Sequence, residues 1–245
     1  MSAGADLNCW AVVPAAGIGE RMRSHIPKQY LPLHGRAVLA HSLAALVAAP
    51  RLDGIVVVLR EDDPHWPTLA LNLPCELLIA SGGNDRAGSV WNGLQLLGER
   101  LGVDDWVLVH DAVRPCLRPA DLARLFRELA DDPVGGLLAT PVRDTMKRAD
   151  AAGRVDGTVE RRDLWHALTP QMFRYGLLCR ALAAALDAKL PVTDEASALE
   201  LAGYAPRLVE GSADNLKITR PADLPLAEFL LGSGLPAPNL PEAST

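Results

Sequence analysis

The chain lacks paired cysteines. Its four, Cys9, Cys75, Cys116 and Cys179, are scattered through 245 residues, and none forms a Cys-x-x-Cys pair. That spacing suggests neither a zinc site nor a disulfide framework. Buried free thiols in a reducing compartment are the reading it leaves. A surplus of positive charge is missing too: 24 Lys and Arg face 30 Asp and Glu, for a net charge of −6. Composition therefore supplies no basic face for broad nucleic-acid binding, although a local basic pocket for a small anion stays open. No apolar run approaches membrane-spanning length, and the start, MSAGADLN, carries no positive cap ahead of an apolar segment. A soluble cytoplasmic protein without nucleic-acid or membrane partners is expected.

Two familiar phosphate signatures are also missing. Gly17-Ile18-Gly19-Glu20-Arg21-Met22 puts Met22 where a dinucleotide fingerprint needs its third glycine, and no Gly-Lys-Ser/Thr ending makes a P-loop. What stands there instead is Pro14–Gln29, PAAGIGERMRSHIPKQ, directly after the apolar run Trp10–Val13. A strand that empties into small residues, a Gly-x-Gly turn and two cations, Arg21 and Lys28, can hold phosphates. Small residues let backbone N–H groups approach an anion, and fixed cations neutralise the rest. Read alone, the segment is equally a tight turn with solvated cations.

Short apolar runs alternate with amphipathic ones. Trp10–Val13, Ile55–Leu59, Leu77–Ala80 and Trp106–Val109 read as buried strands. Val38–Ala49, Arg86–Leu101, Asp121–Ala130 and Tyr175–Ala188 read as helices, Arg207–Glu210 as a late strand, and Pro221–Leu231 as a closing helix with a proline in its first turn. The alternation predicts an α/β fold with a mostly parallel sheet and helices on both faces. Ligands in such sheets sit at the carboxyl ends of strands. Thr140–His166 differs: charges alternate and Ala151–Gly153 makes a Gly-centred turn, which predicts a protruding two-stranded arm. An isolated hairpin is marginal in water, so the arm calls for a partner, and a homodimer is expected. Residues 1–8 and the Pro/Ser/Gly-rich 232–245 are expected to be disordered, flanking one domain over 9–231.

Four further segments can carry chemistry. Ser81–Ser89, SGGNDRAGS, offers loop backbone plus Arg86 and Ser89 to a base or phosphate, while Asp85 equally caps the next helix. His110–Pro115 places Asp111 at a strand end, where it can approach Mg²⁺, orient a hydroxyl, or simply pair with Arg114; His110 reads as a satisfied core histidine. Asp144–Lys147 with Arg161, and Asp214–Thr219 with Lys217, offer cations to a second phosphate. Thr193-Asp194-Glu195 reads as a helix start whose acids complement the helix dipole.

Together, PAAGIGERM, PKQYLPL, SGGNDRAGS, VLVHDAVRPC, PVRDTMKR, LWHALTPQ, TDEASALE and VEGSADNLKITRP give a chain that resembles the 2-C-methyl-D-erythritol 4-phosphate cytidylyltransferases over residues 9–231. The resemblance implies a Rossmann-like nucleotidyltransferase fold whose arm completes a homodimer. It implies CMP transfer from CTP to 2-C-methyl-D-erythritol 4-phosphate, with Mg²⁺ or another divalent cation held mainly by the CTP phosphates. By position, Arg21 and Lys28 stabilise the transition state, and Arg161 and Lys217 position the attacking phosphate. Asp111, Arg114 and Thr145 contact the phosphoalcohol, with Thr145 and Arg161 reaching in from the partner subunit. Ala15, Ala16, Gly17, Gly83, Asn84, Arg86 and Ser89 hold CTP. Asn84 and Gly88 stand where many relatives carry acids, and Glu20 where a basic residue is common. A cytidylyltransferase for ribitol 5-phosphate is the near alternative. A catalytically silent nucleotide-binding protein is the distant one, and retention of all four cations weighs against it.

Overall fold

The first strand shows how the sheet is covered. In β1 (Cys9–Pro14) the side chains alternate: Cys9, Ala11 and Val13 join one apolar core, and Trp10 and Val12 join another. A strand buried on both faces needs helices on both. The structure, a computed structural model, describes residues 7–17, 22 and 25–232. After β1 come a small hairpin, β2 (Pro32–Leu33) with β3 (Arg36–Ala37), then α1 (Val38–Leu46), β4 (Gly54–Leu59), β5 (Glu76–Ser81), α2 (Arg86–Leu96), β6 (Trp106–Val109) and α3 (Pro119–Leu129). The second half runs β7 (Gly135–Pro141), β8 (Met146–Ala149), β9 (Val155–Val159), β10 (Trp165–Arg174), α4 (Tyr175–Asp187), α5 (Glu195–Leu201), β11 (Arg207–Glu210) and α6 (Asp223–Gly232).

Seven strands form the main sheet in the order β11-β7-β10-β6-β1-β4-β5. All neighbours are parallel except β10, which is antiparallel to both β6 and β7. One face packs Leu39, Leu43 and Leu46 of α1 with Leu122, Leu125 and Leu129 of α3. The other packs Val90 and Leu94 of α2 with Leu178 and Leu182 of α4 and Leu199 of α5. Each such aliphatic, fully buried, contributes about 2 kcal/mol. The α/β architecture read from the alternation is the one observed.

Two strands of that sheet were not legible. β7 opens on Gly135-Gly136, which reads as a turn, yet a Cβ on Gly136 would sit 2.9 Å from the Arg207 carbonyl carbon of β11. The glycine there serves close backbone approach between strands. β10 carries Pro170, which reads as a breaker; its register shifts between Ala167 and Gln171, and that irregularity accommodates the proline. Helix ends also move. α1 stops at Leu46 rather than Ala49, and α2 at Leu96 rather than Leu101. α3 begins at Pro119. α6 begins at Asp223, so the proline in its first turn is Pro225 and not Pro221.

β8 and β9 pair with each other alone, antiparallel, across a turn where Gly153 has φ +75°. The arm springs from the main sheet: Thr140 and Pro141 of β7 pair with His166 and Trp165 of β10. The ends expected to be disordered fall outside the described residues except for three. Leu7 packs on the core, the Asn8 N–H donates to Asp105 Oδ1 at 2.8 Å, and Gly232 closes α6.

Candidate active site

β1, β5 and β6 all end at one edge of the sheet, and the loops that leave them enclose a cavity of about 380 Å³. Pro14–Gly17, Lys28 and Gln29 line one side, and Gly83–Arg86 with Ser89 line another. Asp111–Val113 and Lys217 complete it. A cleft of this size at strand carboxyl ends accommodates a small phosphorylated ligand.

Two loops are held rigid by side chains spent on backbone. Gln29 is buried, and its Nε2 donates to the carbonyls of Ala15 at 2.7 Å and Gly17 at 2.9 Å. The Ala15 N–H bonds Val58 O at 2.8 Å, which ties the turn to β4 as well. Arg21 and its neighbours Gly19 and Glu20 lie outside the described residues. In the second loop Asp85 caps α2 by accepting from Gly88 N at 2.7 Å. The Ser89 hydroxyl donates to Asp85 O at 2.8 Å and accepts from Gly83 N at 3.0 Å. A Cβ on Gly83 would meet Ser89 N at 2.7 Å, so the loop closes only on glycine.

The cleft floor is a charge cluster around Asp111, which is 6 % exposed. Arg86 Nε donates to its Oδ1 at 3.3 Å; Arg114 Nε at 3.2 Å and Lys217 Nζ at 3.0 Å share its Oδ2. Burial pushes the Asp111 carboxyl up, but Arg86, Lys217 and Arg114 outweigh it and hold the group well below the usual carboxylate range. Arg86 in turn places Nη1 and Nη2 on Glu195 at 2.7 and 3.1 Å. Burial pulls the Arg86 guanidinium down, yet Glu195 and Asp111 keep it firmly cationic. Arg114 Nη1 donates to Asn215 O at 2.6 Å, and Asn215 Nδ2 to Thr169 O at 2.7 Å. Lys28 Nζ reaches Ile218 O at 3.2 Å. The 215–218 segment therefore carries one cleft lysine, Lys217, and accepts from the other, Lys28, and from Arg114.

His110 is fully buried between Thr169 Oγ1 at 3.0 Å and Arg114 O at 3.1 Å, and burial lowers its pKa to about 4. It is the core histidine that its sequence context suggests. Thr145 and Arg161 are exposed on the arm and are not among the cavity lining; Arg161 Nη1 donates to Arg143 O. Among the described residues no three His, Cys, Asp or Glu side chains gather as a metal site. Both Asp111 oxygens already carry cations.

Reading the sequence missed four members. Gln29 sat inside PKQYLPL without a role, and Asn215 and Gln171 carry no local signal. Glu195 was read as a helix-start acid. Asp194 does cap α5, in a capping box with Ser197, but Glu195 is buried and grips Arg86 from 109 residues away. Only the tertiary fold shows that.

The lining offers Ser89 but no histidine, and supplies Lys28, Arg86 and Lys217 instead. A doubly covered, mostly parallel sheet with fixed cations and loop backbone at its carboxyl edge defines a nucleotidyltransferase-like α/β protein. A model of the 2-C-methyl-D-erythritol 4-phosphate cytidylyltransferase family matches residues 9–233. The enzyme of that name from Pseudomonas aeruginosa PAO1 is 59% identical over 216 residues, 88% of this chain and 92% of its own. A crystal structure of 4-diphosphocytidyl-2C-methyl-D-erythritol synthase superposes with TM-score 0.81 at 39% identity, covering 93% of this chain and all of that one. The cytidylyltransferase of Francisella tularensis superposes with TM-score 0.77 at 37% identity, covering 91% and 99%. The chain belongs to the 2-C-methyl-D-erythritol 4-phosphate cytidylyltransferase family.

Proposed function

We propose that this cleft transfers CMP from CTP to 2-C-methyl-D-erythritol 4-phosphate. The products are 4-diphosphocytidyl-2-C-methyl-D-erythritol and pyrophosphate, and the step belongs to non-mevalonate isoprenoid precursor synthesis. The observation that supports it best is the Asp111 cluster with Lys28 above it, set in a chain of this family. A phosphate monoester attacks the α-phosphorus of a triphosphate, and both partners are anions. Their repulsion must be cancelled before they meet, and the five-coordinate transition state gathers more charge on its non-bridging oxygens. Prefixed cations stabilise it without reorganisation. No general base is required, because a phosphate monoester is already largely ionised near pH 7.

The roles follow from position. Ala15, Ala16, Gly17, Gly83 and Asn84 hold the nucleotide, chiefly through backbone. Ser89 fixes the loop, and Arg86 contributes the N–H groups not spent on Glu195 and Asp111. Lys28, with Arg21, stabilises the charge developing on the α-phosphate. Lys217 positions the attacking phosphate, and Asp111 and Arg114 orient the alcohol. A divalent cation such as Mg²⁺ would enter with the triphosphate and would supply further neutralisation of phosphate charge. Thr145 and Arg161 stand away from the cleft of their own chain, which supports a homodimer in which each arm serves the other subunit. The enzyme works in the cytoplasm.

A substrate panel tests this. Pyrophosphate release is measured for methylerythritol phosphate and ribitol 5-phosphate, each with the four nucleoside triphosphates. Rapid release with CTP and methylerythritol phosphate alone is expected. Faster release with ribitol phosphate, or none that depends on CTP, would contradict the assignment.

A further inference from the structure

Glu195 is a buried acid on the far side of Arg86 from the cleft. It is 2 % exposed, and both of its oxygens are on the Arg86 guanidinium. The turn that carries it is pinned to the central sheet. Gln171 of β10, itself buried, accepts from Ala196 N at 2.8 Å and donates to Asp194 Oδ2 at 2.9 Å. Asp194 Oδ1 accepts from Ser197 N at 2.9 Å. Glu195 therefore stands on a frame fixed from two sides.

Burying such a pair adds little stability over an apolar pair, because desolvation offsets the attraction. Orientation is what it supplies. With Nη1 and Nη2 committed to Glu195, only the Nε edge of Arg86 faces Asp111, and it meets Oδ1. Oδ2 is left to Lys217 and Arg114. An arginine without that second acid would turn its fork onto Asp111, since a bidentate pair is the stronger arrangement.

We infer that Glu195 is a positioning residue: by taking both Nη groups of Arg86 it keeps that guanidinium off Asp111 Oδ2, and so leaves Asp111 to hold Lys217 where the attacking phosphate docks. The last clause rests on the proposed role of Lys217.

Glu195→Gln tests the inference, because it keeps the shape and removes the charge. Lysine acylation followed by peptide mass spectrometry reads Lys217 with no substrate present, with Lys189 as the internal reference. Labelling of Lys217 is expected to rise about threefold or more as Arg86 displaces it from Asp111. The double variant Arg86→Met with Glu195→Met removes the competitor, so its Lys217 should label as in wild type. A merely structural pair would disturb single and double variants alike. In turnover, Glu195→Gln should raise KM for methylerythritol phosphate about tenfold. Wild-type labelling in the single variant, or equal labelling in single and double, overturns the inference. If Glu195→Gln does not fold, Gln171→Met keeps every charge and loosens only the frame. Lys217 labelling should rise there too, and wild-type labelling in that folded variant overturns the inference equally. An inactive wild type with the labelling pattern intact would leave the positioning chain standing and defeat the functional reading alone.

Discussion

The cleft floor and the arm carry the same residue types in opposite states. Behind the cleft lining, Arg114 is 7 % exposed and locked between Asp111 and the Asn215 carbonyl. On the arm, Arg161 and Lys147 are exposed, and their bonds are local: Arg161 to the Arg143 carbonyl, Lys147 Nζ to Thr158 Oγ1 at 2.6 Å. Folding of one chain orients the first set. The second set is held on and beside a two-stranded ladder by these local bonds, without, among the described residues, a buried acid such as Asp111. Cations that must meet a transition state need fixed geometry, so on the proposed reading the arm is the half of the machinery that a second subunit would have to fix.

The comparison can be broken at several points. Lys28→Ala removes a cleft cation and should lower kcat by about 10²-fold, as loss of one transition-state donor does elsewhere. Initial rates at saturating substrates read this, and near-normal turnover would remove Lys28 from the chemistry. Arg114→Ala strips a buried partner from Asp111 and should cost about 3 kcal/mol of stability in urea unfolding. Arg161→Ala, exposed on the arm, should cost less than about 0.5 kcal/mol and instead raise KM for methylerythritol phosphate. Equal stability losses would erase the distinction between the two regions.

A smaller effect comes from pH. His110 stays neutral in the folded protein, with its pKa lowered from 6.5 to about 4 by burial. As pH falls through that window the unfolded chain binds a proton that the folded one refuses. Stability is therefore full above about pH 6.5 and falls toward pH 4. The loss between pH 7 and pH 4.5 should be about 2 to 3 kcal/mol, and smaller in His110→Gln. Asp111 adds its own loss further down. Its depressed pKa contributes stability that is present above the ordinary carboxylate range and lost as pH falls below it. A flat profile from pH 7 to pH 4.5 would mean that His110 is not buried as described.

The sequence announced some of this and hid the rest for physical reasons. Period and apolar runs gave β1, β4 and β6, because strands buried on both faces are continuous apolar stretches; the run Leu77–Ala80 is a strand too, but as edge strand β5 it is only partly buried, with Ile79 exposed. β7 and β10 escaped because Gly136 and Pro170 read as punctuation until a neighbouring strand explains them. Asp111 was legible as an acid at a strand end, and Lys28 and Lys217 as loop cations able to meet a phosphate, and the fold gathers the three in one cavity. Gln29 and Glu195 were not. Their work is to hold the Ala15–Gly17 turn and Arg86, and partners 12 to 109 residues away leave no local trace.

Subunit mixing tests the central claim most directly. Lys28→Ala and Arg161→Ala proteins are denatured together, refolded in equal amounts and assayed for pyrophosphate release at methylerythritol phosphate well below the raised KM of Arg161→Ala, where each parent alone is nearly inactive. If each arm completes the opposite cleft, half of the randomly paired dimers hold one intact site, and activity should return to about a quarter of the wild-type value. A mixture no more active than its two components would contradict the shared site.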